Sequence, residues 1–145
     1  MAEKMKVLVI CTGNSARSQM AEAFINGEMG DRWQAYSAGV NPSKVNPIVV
    51  KVMGEIGYDL SQNKSKSVDM FLDKDLDLVI TVCDRARQTC PAFLRPVDQH
   101  HISFADPSEW KNLPEEEVAG KMRELRDEIK KEILDYLQKY EAERK

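Results

Sequence analysis

No run of apolar residues in the chain is long enough to cross a membrane, and its first stretch, Met1-Ala2-Glu3-Lys4-Met5-Lys6, lacks the apolar core of a secretory signal. A cytoplasmic protein is therefore expected, in a compartment where thiols stay reduced. Cysteine is scarce, and its odd count of three argues against a static disulfide framework. Histidine is scarcer still. His100 and His101 sit side by side on an expected strand, where their rings point to opposite faces, so no zinc site is expected. A basic excess is missing too: the net charge of -3 argues against a general nucleic-acid binder. Repeats, linkers and low-complexity segments are absent. What remains is 145 residues, 42% hydrophobic and 31% charged, the profile of one soluble domain over residues 1–145 with a core that needs no covalent staples.

The most informative stretch is Val7-Leu8-Val9-Ile10-Cys11-Thr12-Gly13-Asn14-Ser15-Ala16-Arg17-Ser18. Its apolar run reads as a buried parallel strand that ends at Cys11, and a small polar loop then leads into a helical pattern. Strand, tight loop and helix N-terminus make an oxyanion cradle, because the loop amides converge and the first helical turn adds roughly half a positive charge. Cys11 and Arg17 stand at the two ends of that loop. Amides and guanidinium together favour the thiolate of Cys11, which is the nucleophilic form. Arg17 can meet two oxygens of a tetrahedral anion at once, as a lysine could not. Gly13 is expected to supply the backbone freedom of the loop, with Asn14 and Ser18 as internal braces, Ser18 donating its hydroxyl to the sulfur. The bland alternative is a buried structural cysteine beside a surface arginine.

Along the chain, strands are expected over 5–10, 34–37, 76–82 and 99–103. Helices are expected over 16–29, from the Asn46-Pro47 start to a cap at Gly57, briefly over 68–72, and over 114–140. In the last helix Val118, Met122, Leu125, Ile129, Ile133 and Leu137 form one apolar stripe, and its many charges form the solvated face. Alternating strands and helices imply a parallel sheet covered on both sides, with ligands at the carboxyl ends of its strands. Cys11, Cys83 and Asp106 all follow expected strand ends, which brings them to one edge.

Cys83 and Cys90 are seven residues apart. On a helix they would stand about 10.5 Å apart along the axis, and a disulfide needs α-carbons within about 7 Å. Either the segment is not helical, or pairing forces it to unwind, which would make it a redox switch; the alternative is two small buried hydrophobes. Asp106, before Pro107, can protonate a leaving oxygen or simply form a turn.

The run from Cys11 to Glu22, with Tyr36-Ser37-Ala38-Gly39, Val45-Asn46-Pro47, Thr81-Val82-Cys83, Cys90-Pro91 and Asp106-Pro107 in order, resembles the thioredoxin-coupled arsenate reductases, which share the low-molecular-weight tyrosine phosphatase fold. The resemblance implies an α/β three-layer sandwich with a four-stranded parallel sheet. It implies that Cys11 attacks arsenate held by residues Thr12, Gly13, Asn14, Ser15, Ala16, Arg17 and Ser18, with Asp106 as proton donor. Cys83 then displaces arsenite, Cys90 takes over the disulfide, and thioredoxin reduces it. The expected ligand is an arsenate or phosphate oxyanion, with no bound cofactor and a monomeric protein. The alternative within this fold is a phosphatase that hydrolyses phosphomonoesters through a phospho-cysteine, and a weak activity of that kind is expected in either case. The paired Cys83 and Cys90 favour the reductase, and a non-enzymatic oxyanion binder or redox sensor is the third reading. Three departures stand out. Ala16 occupies a position where many members carry another cysteine. Some members bind potassium through residues matching Asn14, Glu22 and Ser37 plus an aspartate; Lys66 falls at the aspartate position, so its ammonium stands in for the ion and no metal is expected. Ser108-Glu109-Trp110 follows Asp106-Pro107 without the immediate aromatic residue usual in the phosphatases.

Overall fold

A computed structural model describes residues 3–144, apart from the side chain of Arg85. Four strands, β1 (Met5–Cys11), β2 (Trp33–Gly39), β3 (Leu78–Thr81) and β4 (Asp98–His101), form one sheet in the order β2-β1-β3-β4. All three pairings are parallel. The chain leaves β1 for β2 on one side and then crosses back to β3 on the other, so the connections diverge at the carboxyl ends of β1 and β3. Such a switch point leaves a crevice in an open parallel sheet.

Helices α1 (Arg17–Glu28), α2 (Pro47–Gly54), α3 (Asp84–Thr89) and α4 (Glu115–Glu143) complete the fold, with short 3₁₀ turns at Val68–Phe71 and Pro107–Trp110. Val7 through Ile10 have no exposed surface at all. Because successive strand residues face opposite sides, this means that both faces of β1 are covered. α1 and α2 both pack against α4, whose expected stripe is buried throughout and continues to Tyr140. Asn46 caps α2 as expected, its side chain accepting from the Ile48 amide at 2.8 Å ahead of Pro47. Gly57 takes a positive φ of 92° just past that helix.

Two strands are shorter than expected. β3 begins at Leu78, although the Asp77 amide already reaches the Lys6 carbonyl of β1 and Leu76 is buried ahead of it. β4 runs over 98–101, and the amides of Ile102 and Phe104 then turn to the carbonyls of Thr81 and Val82. The last helix extends three residues beyond Tyr140. The described residues include no helix long and apolar enough to cross a membrane.

Candidate active site

The loop after β1 is built by turning its carbonyls outward. The carbonyls of Cys11, Thr12, Gly13 and Ser15 accept from the amides of Val40, Asn41, Ser43 and Asn46 at 2.8–3.2 Å. That of Asn14 accepts from Gln19 Nε2 and Ser65 Oγ. With every carbonyl from 11 to 15 tied outside, the loop amides are left for the inside of the curve. One of them, Asn14 N–H, donates to Cys11 Sγ at 3.2 Å. Ser18 Oγ lies 2.9 Å from the same sulfur, as expected for a hydroxyl that steadies a thiolate. No side chain caps α1 at Ala16, so the amides of its first turn are available to an anion.

The strained residue of the loop is Asn14, with φ of 50°, and not Gly13. Asparagine tolerates the left-handed region better than most side chains. Gly13 instead permits close approach: a Cβ there would meet Ser43 Oγ at 3.0 Å. Asn14 is wholly buried, as are Ser18 and Gln19. Asn14 Nδ2 donates to Ser18 Oγ at 2.8 Å, and its Oδ1 accepts from Gln19 Nε2 and from the Lys66 amide, each at 2.9 Å. Gln19 Oε1 in turn accepts from Asn63 Nδ2. This buried amide network holds the strained turn; Asn14 and Ser18 are its expected members, and Gln19, Asn63 and the Lys66 amide are not visible in the sequence.

Arg17 is 7% exposed. Its Nη1 donates to the Phe104 carbonyl at 3.4 Å, and its Nη2 lies 3.5 Å from Asp106 Oδ1. Asp106 also caps the 3₁₀ turn that follows, accepting from the Ser108 amide at 2.9 Å. Arginine and aspartate thus pair in the wall of a cleft of about 950 Å³. Cys11, Thr12, Gly13, Ser15, Ala16, Arg17, Cys83 and Asp106 all line it, whereas Asn14 and Ser18 lie beneath.

Cys83 reaches this cleft from the end of β3. Its Sγ is 3.2 Å from Thr12 Oγ1, and it caps α3 by accepting from the Ala86 amide at 3.4 Å. Cys90 does not join them. It caps the other end of α3, half-buried, with its amide on the Ala86 carbonyl. All three cysteines are free thiols, and the segment between the last two is helical. The edge expected to gather Cys11, Cys83 and Asp106 does so, and Cys90 lies outside the cleft. Burial pushes the Cys90 thiol above its ordinary 9.0.

Lys66 Nζ lies 3.8 Å from Glu22 Oε1, and Glu22 also accepts from Ser37 Oγ at 2.8 Å. An ammonium thus sits in the Glu22–Ser37 environment beside the loop brace. Among the described residues, no group of three or more His, Cys, Asp or Glu is placed to hold a metal ion. His101 turns inward to Thr81 and Asp84, while His100 stacks on Tyr136 with ring centroids 4.1 Å apart, so the adjacent rings do point apart.

A buried thiol held by a loop amide and a hydroxyl, at the start of a helix closed by an arginine, defines an oxyanion-binding cysteine site on a parallel α/β sheet. Residues 6–145 match the family described as low molecular weight phosphotyrosine protein phosphatase, and the chain belongs to that family. It is 42% identical over 133 residues to an arsenate reductase of Halalkalibacterium halodurans, covering 92% of this chain and 95% of that protein. A solved structure described as an arsenate reductase in the phosphate binding state superposes with a TM-score of 0.73 at 28% identity, covering 93% of this chain and 98% of the other. A thioredoxin-dependent arsenate reductase of Corynebacterium glutamicum shares the fold, with a TM-score of 0.69 at 23% identity over 98% of this chain and 64% of that one.

Proposed function

We propose that the protein reduces arsenate to arsenite by a relay of its three cysteines, with thioredoxin as the final electron donor. The observation that carries this reading is the second thiol in the cleft, Cys83 Sγ at 3.2 Å from Thr12 Oγ1 of the anion loop. Hydrolysis of a phosphomonoester needs one nucleophilic sulfur and would leave Cys83 idle. Reduction of arsenic needs two electrons, and a second thiol supplies the way to deliver them.

Arsenate binds to the amides of residues 12–18 and to Arg17, which meets two of its oxygens. Arg17 then links substrate and Asp106, whose carboxyl group gives its proton to the oxygen that leaves. Cys11 Sγ forms a bond to arsenic as that oxygen departs as water. Cys83 next attacks Cys11 Sγ. The sulfur–arsenic bond breaks with its electron pair staying on arsenic, so arsenite leaves and a Cys11–Cys83 disulfide forms. Cys90 attacks Cys83, freeing Cys11 as thiolate and moving the disulfide to Cys83–Cys90. That exchange requires α3 to unwind, since its two caps stand about 10.5 Å apart along the axis. Thioredoxin reduces the resulting pair, which fits a reducing, cytoplasmic setting.

Lys66 supplies the positive charge beside Glu22, and we assign no metal to the protein. Arsenate and phosphate have nearly the same shape, so a slow phosphomonoesterase activity accompanies reduction. We assign a monomer, because every group used in these steps belongs to one chain. Arsenite release coupled to thioredoxin, thioredoxin reductase and NADPH is the test. Wild type turns over, and Cys90→Ser loses turnover while keeping p-nitrophenyl phosphate hydrolysis. Undiminished turnover in Cys90→Ser would sink the three-cysteine relay, and a wild type that releases no arsenite would leave a phosphatase.

A further inference from the structure

One side chain links the start of α3 to the ends of β3 and β4. His101, at the end of β4, places Nδ1 2.8 Å from Thr81 Oγ1 and Nε2 3.0 Å from Asp84 Oδ1. Thr81 is the last residue of β3, and Asp84 is the first of α3, next to Cys83. The imidazole side chain is 17% exposed, whereas the Asp84 side chain is 75% exposed and meets His101 through its carboxylate. With Nε2 donating to the carboxylate and Nδ1 accepting from the threonine hydroxyl, a neutral ring satisfies both bonds.

We propose that His101 is a positioning residue for Cys83, holding the first turn of α3 against the strand ends so that the sulfur stays aimed at Cys11 while the rest of the helix is free to unwind. This rests on the reductase reading above. The helix is only six residues long, and its interior bonds alone cannot keep its N-terminus in place. A short helix between two strand ends must nonetheless present Cys83 correctly in one step and dissolve in the next. A tether at residue 84, upstream of everything that moves, reconciles the two. It fixes the first turn as a pivot and leaves the helix beyond that turn unrestrained by it. The step served is the attack of Cys83 Sγ on Cys11 Sγ, which breaks the sulfur–arsenic bond and forms the Cys11–Cys83 disulfide.

The test compares His101→Leu, His101→Gln, Asp84→Ala and the double variant His101→Leu/Asp84→Ala. A misplacement of about 1 Å can cost about a hundredfold in rate, so single-turnover arsenite release is expected to fall at least about tenfold in His101→Leu, with the affinity for inorganic phosphate unchanged. His101→Gln keeps a donor for Asp84 and restores most of the rate. The double variant is expected to be no slower than the worse single one, because both remove the same tether. Unchanged release in His101→Leu, or effects that simply multiply in the double variant, would overturn the proposal. Amide exchange reads the tether independently of arsenic chemistry. Faster exchange at Arg87, whose amide bonds to the Cys83 carbonyl in the tethered first turn, is expected in His101→Leu, and unchanged exchange there refutes it. A wild-type protein that releases no arsenite contradicts the reductase reading, while the exchange result still decides the tether.

Discussion

Gly39 ends β2 directly opposite Cys11 in the sheet register, and replacing it with alanine is the sharpest perturbation of the anion loop available outside the loop itself. A Cβ at this position would lie 2.6 Å from the Thr12 carbonyl oxygen, 2.8 Å from the Asn14 amide nitrogen and 3.0 Å from the Gly13 carbonyl carbon. All three are backbone atoms, and none can swing away as the tip of a flexible side chain would. The Gly39 backbone cannot retreat freely, because its amide is bonded to the Lys66 carbonyl at 2.8 Å. Overpacking a tight site costs about 1–3 kcal/mol, and three rigid contacts place Gly39→Ala near the top of that range, about 3 kcal/mol. For a chain of this size each kcal/mol moves Tm by about 4 °C, so a fall of about 12 °C is expected in thermal unfolding followed by circular dichroism. The displaced amides also lose alignment with a bound oxyanion. Inorganic phosphate titrated by calorimetry should bind at least about tenfold more weakly, a difference of about 1.4 kcal/mol. A Gly39→Ala protein with Tm within about 3 °C of wild type and the same phosphate affinity would show that β2 does not clamp the loop.

Gln19→Leu removes a buried donor and acceptor from the Asn14 network and strands polar groups that have no water. About 1–3 kcal/mol of stability should be lost, with a visible drop in Cys11 alkylation selectivity if the turn at Asn14 relaxes. For the Cys90 step the sign follows from burial, which raises the thiol above 9.0. The protonated form dominates at neutral pH, so formation of the Cys83–Cys90 disulfide in stopped-flow mixing should accelerate with pH, about tenfold per unit, until that raised value is passed. A flat profile between pH 7 and 9 would contradict it. Glu55 is held down to about 2 from its ordinary 4.5, first by its hydrogen bond to Arg123 and then by Arg126. A lowered carboxylate stabilises the fold above its unfolded value and ceases to do so as pH falls through the folded one. The stability difference between wild type and Glu55→Gln should therefore shrink from pH 4.5 toward 2, and a difference that does not change with pH would refute the assignment.

Most of the architecture is legible because its determinants are local. The Val7–Ile10 run, the Asn46-Pro47 start and the stripe from Val118 to Leu137 each carry their own period or cap. The anion loop is legible for the same reason, since thiol, small residues and arginine lie within one strand–turn–helix. Long-range partners are not. The outward pull on the loop carbonyls comes from residues 40–46, and the brace on Asn14 comes from Gln19, Ser65 and Lys66. No sequence period points to backbone amides 30 residues away. Gly39 looks like an ordinary strand terminator until the register places it under the loop. Asn14 takes the turn expected of Gly13 because glycine's freedom is visible in a sequence, whereas a supported left-handed asparagine depends on the network around it. The position of Cys90 is the other long-range matter: a strand end already points Cys83 at the cleft, and only the fold places Cys90 outside it.

The most direct measurement is a single turnover without external reductant. The fully reduced protein is mixed with one equivalent of arsenate, quenched by alkylation at acidic pH, and its peptides are mapped by mass spectrometry beside the arsenite released. One arsenite per chain and a bond between Cys83 and Cys90, with Cys11 alkylated, is the predicted result; Cys83→Ser should release no arsenite. Stoichiometric arsenite from Cys83→Ser would contradict a relay through the second thiol of the cleft.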